Sequence, residues 1–297
     1  MRVLPIQDDL PVQRSHVTRR LAGIRAITFD FGNTLVPVSR SGLRRVVELT
    51  ADAICSRSSD LERGAFLRAW AEERDRQFRE EVPQFREVDL AERLVRVYAR
   101  LRGMDAPPVA ERWDQARAAQ RSDEADIAWG VEQYSRAFVD GLPATPGVTA
   151  MLGRLAADRD LAILSNWPLA ATIDRYADAQ GWLPHLRAIV VSQRVGTIKP
   201  QPAIFEAARS ALGDPEPRSI LHVGDDWAAD IVGASAVGWR TAWLASRPAE
   251  SPLPASDRDG SFDPDLELAS VGELEAHLST RPRSGRQPSE RDRAVAR

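Results

Sequence analysis

The sequence predicts an α/β protein: a doubly wound parallel sheet with an all-α helical block inserted after its first strand. Three observations carry this. From residue 143 onward, short apolar runs alternate with amphipathic helical stretches, the pattern of a parallel sheet covered on both faces. One apolar run, ITFDFGNTLV at 27–36, stands alone before them. Between the two lie roughly 100 residues of helical periodicity with no strand-like break.

Residues 1–23 read as a loose arm. Ile24 to Phe31 is β-like and ends in a turn through Gly32, Asn33 and Thr34. Residues 40–142 then read as a persistently helical block. Leu43, Val46, Val47 and Ile54 recur at helical spacing, as do Leu90, Leu94, Val97 and Leu101, and Ile127, Val131, Tyr134 and Phe138. Such stripes are the buried faces of a bundle. The core resumes at the Pro/Gly turn of LPATPGV. A helix leads to a strand at Leu161–Leu164, a further helix to one at Ala188–Val191, and a loop holding Lys199 to a helix over Ala203–Leu212. A strand at Ile220–Val223, a helix over Ala228–Val237 and a strand at Thr241–Leu244 follow, and PDLELASVGELEAHL supplies a closing strand and helix. Residues 24–39 and 143–278 thus make one discontinuous core domain. Residues 279–297, with six arginines among Pro and Ser, read as a disordered tail.

Composition limits the function. The chain of 297 residues is 43% hydrophobic and 28% charged, with a net charge of −3. That charge gives no electrostatic case for nucleic acid or an anionic membrane as partner. One cysteine, Cys55, excludes a disulfide within these 297 residues, the N-terminal stretch lacks the apolar run expected of a signal peptide, and no run approaches membrane-spanning length. The expectation is a cytoplasmic protein acting on a small molecule, with its oligomeric state open. Of 40 basic residues only Lys199 is lysine, leaving 40 − 1 = 39 arginines. A site that needs a compact ammonium beside carboxylates would explain the exception, because a guanidinium is a broad planar fork.

The polar residues gather in one place on the predicted sheet. Asp30 follows the first strand, Ser165 and Asn166 the second, Lys199 the third, and Asp225, Asp226 and Asp230 the fourth. In a parallel doubly wound sheet all of these fall at the carboxyl edge, where ligands bind. Carboxylates grouped there call for a hard cation such as Mg²⁺. A lysine and a hydroxyl beside them make a pocket for phosphate-like oxygens. A carboxylate nucleophile, a hard metal and anion clamps together suit phosphoryl transfer through an aspartyl-phosphate.

These residues resemble the four motifs of the haloacid dehalogenase superfamily: DFGNTL, LSN, GTIKPQPAIF and GDDWAAD, in that order. The resemblance implies a Rossmann-like core with a helical cap of the C1 type between the first two motifs. It implies Asp30 as nucleophile, and Asp225, Asp30 and the Gly32 carbonyl as Mg²⁺ ligands, with Asp230 holding a metal-bound water or Lys199. Thr34 and Ser165 would bind the phosphoryl oxygens, with Lys199 neutralising their charge. Asn33, Asn166 and Asp226 are the further polar residues expected beside the substrate. For Asp226 an extra metal contact is one alternative and a plain helix N-terminal carboxylate the favoured one.

One departure stands out. The family's phosphatases carry a second aspartate, as general acid and base, where this chain has Gly32. General acid–base help is worth about 10²–10⁴ in rate, so a phosphatase lacking it would favour good leaving groups. Two alternatives remain: a 2-haloacid dehalogenase-type hydrolase, whose fourth motif is less acidic than GDDWAAD, and a weakly active binding protein on the same fold. His222 reads as a packed core histidine, and Trp167 and Trp227 as packing or pocket walls. Arg40, Arg44 and Arg45 read as a solvated helix face.

Overall fold

The computed structural model describes residues 21–278; most of the expected arm at 1–23 and the tail at 279–297 lie outside them. Six strands form one parallel sheet: β1 (Ala26–Phe29), β2 (Asp160–Ser165), β3 (Ala188–Val191), β4 (Ile220–Gly224), β5 (Arg240–Leu244) and β6 (Leu266–Leu268). Their order is β3-β2-β1-β4-β5-β6. The winding reverses between β1 and β4, where Phe29 stands in register with Val223. Both faces are buried, as continuous apolar strands require. Along β2, Leu161 and Ile163 join one core cluster, and Ala162 and Leu164 the other.

The helical block after β1 holds five α-helices: α1 (Arg40–Arg57), α2 (Arg63–Glu80), α3 (Leu90–Leu101), α4 (Gln115–Ala119) and α5 (Glu124–Gly141). The periodic residues face inward as their spacing dictates; Leu94, Val97 and Phe138 are fully buried. Arg40, Arg44 and Arg45 are exposed. The cap is fastened to the core at several points. Leu90 N donates to the Pro168 carbonyl at 3.1 Å, and Ile198 N to the Phe85 carbonyl at 3.1 Å. Phe138 of α5 meets Trp167 edge-on, with ring centroids 5.2 Å apart.

The core continues with α6 (Val148–Leu155), α7 (Ala170–Ala179), α8 (Ser192–Val195) and α9 (Pro202–Ala211). The single helix expected over Ala228–Val237 is instead a π-helical turn, Trp227–Val232, followed by α10 (Gly233–Ala236). Wide turns of this kind cluster at functional sites, and this one carries Asp230. The expected closing helix is a 3₁₀ segment, Val271–His277.

Candidate active site

Each strand end delivers its polar residue to the same edge. The carboxylates of Asp30, Asp225 and Asp230 offer oxygens that all lie within 4.8 Å of one another. Lys199 reaches them from the loop after β3. Its Nζ donates to Asp30 Oδ1 at 2.8 Å, Asp230 Oδ1 at 2.6 Å and the Leu164 carbonyl at 3.0 Å. All three ammonium hydrogens are therefore used, and the converging acceptors fit a point donor better than a fork. Asp230 reaches back under β4 only because residue 224 is glycine: a Cβ there would stand 2.2 Å from Asp230 Cγ.

The charges settle unequally. Burial alone would push Lys199 down, but Asp230 and Asp30 outweigh it and hold the ammonium above its ordinary range. Asp230 is buried too, yet Lys199 and His222 keep its carboxyl well below the usual value. Burial raises Asp30 to about 6 against the pull of Lys199. Asp225 goes further, to about 8, through burial and the neighbouring Asp30 and Asp230, with Arg247 pulling weakly the other way.

A pH dependence follows. In the unfolded chain both carboxyls ionise near 3.8, whereas the folded protein retains their protons up to about 6 and about 8. The unfolded state therefore binds fewer protons across this window, and stability falls as pH rises through it. Asp230 acts in the opposite sense only below 3.8, and His222, pushed down from 6.5 by burial, offsets one of the two carboxyls below 6.5 without reversing their joint effect. The melting temperature in EDTA is expected to decline from pH 4.5 to 8. A steady rise over that range would mean that the carboxyls are not crowded.

The remaining expected residues are distributed as follows. Thr34 Oγ1 donates to Asp225 Oδ1 at 3.4 Å. Asn33 adopts φ 59°, a left-handed turn that asparagine tolerates, and its Nδ2 reaches Asp225 Oδ2 at 3.3 Å. Ser165 Oγ and the indole Nε1 of Trp167 are buried with no hydrogen-bond partner. Ser165 nonetheless stands close enough to Asp30 to help hold its carboxyl down. Asn166 serves the loop: its Oδ1 accepts from Lys199 N at 2.7 Å and its Nδ2 donates to the Lys199 carbonyl at 3.1 Å. Asp226 lies outside the carboxylate cluster. It caps the π turn, accepting from Ala229 N at 2.8 Å, and accepts from Ser256 Oγ at 2.7 Å and Ser256 N at 3.0 Å. Asn166 and Asp226 are thus both hydrogen-bonded to protein partners in this structure. Trp227 is packing, its Nε1 bonded to Asp259 Oδ1 at 2.9 Å.

A family model for haloacid dehalogenase-like hydrolases matches residues 24–238. The chain belongs to this family. It is 27% identical over 121 residues to the pyrimidine 5′-nucleotidase YjjG of Escherichia coli, covering 41% of this chain and 53% of the relative. It is 28% identical over 121 residues to the HAD-hydrolase YfnB of Bacillus subtilis, covering 41% and 51%. The chain thus spans about half the length of the curated relatives it matches. The solved structure of YfnB, bound to magnesium, superposes with a TM-score of 0.53 at 19% identity over 86% of this chain and 98% of that one. A 2-haloacid dehalogenase from Pseudomonas syringae pv. Tomato DC3000 gives 0.56 at 19% identity over 86% and 97%. These structural likenesses are likenesses of fold.

Two parts of this haloacid dehalogenase-like site escaped the sequence. His222, read as a packed histidine, is fully buried and also holds Asp230, with Nε2 to Oδ1 at 3.1 Å. A carboxylate only accepts, so Nε2 carries the proton and Nδ1 accepts from Thr28 Oγ1 at 2.8 Å. Burial keeps the ring neutral by pushing its pKa down. The second part is the β5–β6 connection, residues 245–265, which folds back over the site. Arg247 Nη1 lies 3.5 Å from Asp225 Oδ2. Ser251 Oγ accepts from Asn33 Nδ2 at 3.0 Å. No described helix is long and apolar enough to cross a membrane.

Proposed function

We propose that the chain is a Mg²⁺-dependent phosphatase that hydrolyses a small phosphorylated metabolite through an aspartyl-phosphate on Asp30. One observation carries this reading: three buried carboxylates converge on one edge with a lysine between only two of them. Asp225, raised to about 8, is the member that Lys199 does not reach, with Arg247 at 3.5 Å as its cation. An all-oxygen donor set suits a hard cation, so Asp30, Asp225 and the Gly32 carbonyl would hold Mg²⁺, with Asp230 behind them. The metal, when bound, supplies Lewis-acid neutralisation of the phosphoryl oxygens.

The chain's own residues do the rest. Lys199 engages Asp30 Oδ1, which orients the carboxylate and leaves Oδ2 to attack phosphorus. The P–O bond to the leaving group breaks as the Asp30–phosphorus bond forms, and water then hydrolyses the acyl phosphate. Ser165 Oγ, buried and unpartnered, is a donor awaiting an anionic oxygen. Thr34, now bonded weakly to Asp225, is a second. Lys199 offsets the charge that builds on the transferred group. Gly32 has no side chain to protonate the leaving group, which restricts efficient turnover to weakly basic leaving groups.

The test is hydrolysis of p-nitrophenyl phosphate and glycerol 3-phosphate, with Mg²⁺ and with EDTA. Turnover that needs Mg²⁺ and favours the aryl ester is expected, and excess Mg²⁺ should flatten the decline of melting temperature with pH. Halide release from 2-chloropropionate with no phosphate release would replace this reading with dehalogenation.

A further inference from the structure

Residue 32 is a glycine where the resemblance to the family's phosphatases implies an acid, and the backbone does not demand it. Gly32 is absent from the residues of positive φ, which in this turn include Asn33. What the position requires is smallness. A Cβ on residue 32 would stand 2.6 Å from Leu253 Cδ1, 3.2 Å from Trp167 Cζ3 and 3.9 Å from Val38 Cγ2. The space into which an acid side chain would grow is thus bordered by apolar atoms from three segments. Leu253 comes from the β5–β6 loop and is pinned on both sides. Arg247 Nη2 donates to the Leu253 carbonyl at 3.0 Å, and Leu253 N donates to Ser251 Oγ at 3.3 Å. Ser251 is itself bonded to Asn33, and Ser256 further along to Asp226. This part of the loop is tied directly to the first and fourth motifs.

Resting on the phosphatase reading, we infer that Leu253 is a specificity-determining residue. It stands in place of the absent acid and, backed by the buried Trp167 and Val38, forms an apolar wall on the leaving-group side. The substrate class this selects is a phosphate ester of an apolar, weakly basic alcohol, such as an aryl or enol phosphate. A polyol or sugar leaving group would bury hydroxyls against carbon with no partner for them. An apolar one gains contact, and the phosphate needs no proton donor to leave it. Glycine and leucine form one unit, so restoring the acid alone does not restore acid catalysis. Leu253 Cδ1 is the end of a flexible side chain and would turn aside for a methyl group. A carboxymethyl group needs the space the whole side chain fills.

The experiment is a cycle of Leu253→Ala, Gly32→Asp and the double variant. It reads kcat/KM on p-nitrophenyl phosphate and glycerol 3-phosphate, and melting temperature. Leu253→Ala is expected to cut the aryl-to-alkyl preference about tenfold, chiefly through KM for the aryl ester. Gly32→Asp alone should lower the melting temperature and gain little on the alkyl ester. The double variant should recover the melting temperature and raise alkyl turnover about 10²-fold over wild type. An unchanged preference in Leu253→Ala overturns the proposal, as does a Gly32→Asp single variant that gains as much as the double. Wild-type protein that hydrolyses neither ester would instead sink the phosphatase reading. The melting-temperature cycle still reports the Gly32–Leu253 coupling in that event, and additive shifts would remove the wall as well.

Discussion

Asp30→Asn is expected to reduce phosphate-ester turnover to background, a loss of at least about 10⁴-fold, while the protein stays folded. The nucleophile is lost outright, since an amide oxygen at this position neither attacks phosphorus effectively nor leaves on hydrolysis. Stability should hold or rise. Burial keeps the Asp30 carboxyl up at about 6, so its ionised form is costly at neutral pH, and the neutral amide removes that cost. Lys199 retains Asp230 and the Leu164 carbonyl as partners. Activity and melting temperature should therefore separate. A variant with wild-type turnover removes Asp30 from the chemistry.

Lys199→Met should do the reverse, damaging both. The ammonium is 2% exposed and is the direct charge partner of Asp30 and Asp230. Its removal leaves carboxylates packed within 4.8 Å of one another with no ammonium between them. Breaking a buried ion pair by deleting one partner costs about 3–5 kcal/mol. At roughly 2–4 °C per kcal/mol for a domain of this size, the melting temperature should drop by about 6–20 °C. Mg²⁺ should return part of the loss. Lys199→Arg keeps the charge and is expected to fail as well, because three acceptors converge on a single nitrogen. An arginine variant with wild-type melting temperature and turnover would refute this account of why the chain's one lysine is a lysine.

The residues on which these two predictions rest are legible in the sequence. Apolar runs mark where strands end, and a parallel sheet sends all those ends to one edge, so Asp30, Ser165, Lys199 and Asp225 had to be neighbours. What each side chain does at that edge is less legible. Asn166 and Asp226 sit beside the site in sequence and in space but face protein partners. The π turn that presents Asp230 has no signature distinguishing it from an α-helix. The β5–β6 loop is the least legible. Its Ser, Pro and Asp residues carry no periodicity, Leu253 reads as an isolated loop leucine, and Arg247 is one arginine among 39 in the sequence of 297 residues, where only Lys199 breaks the count of 40. Contacts between a loop and a turn more than 200 residues away depend on tertiary placement, which local pattern does not encode.

The same loop has a second attachment. The Glu250 carbonyl accepts from Arg40 N at 3.1 Å, at the first residue of α1. The helical block is also tied near its middle, where Ser192 Oγ donates to Glu87 Oε2 and Gln193 Nε2 donates to Asp89 Oδ2 at 2.7 Å. An insertion that enters and leaves the core at neighbouring points looks like a part that can be exchanged between relatives. Here it cannot be exchanged alone, because its partners lie in two other stretches of the chain. Replacing the helical block alone would leave the Glu250 carbonyl, Ser192 and Gln193 without these partners, so the α8 region and the β5–β6 loop have to be matched to whatever block is attached.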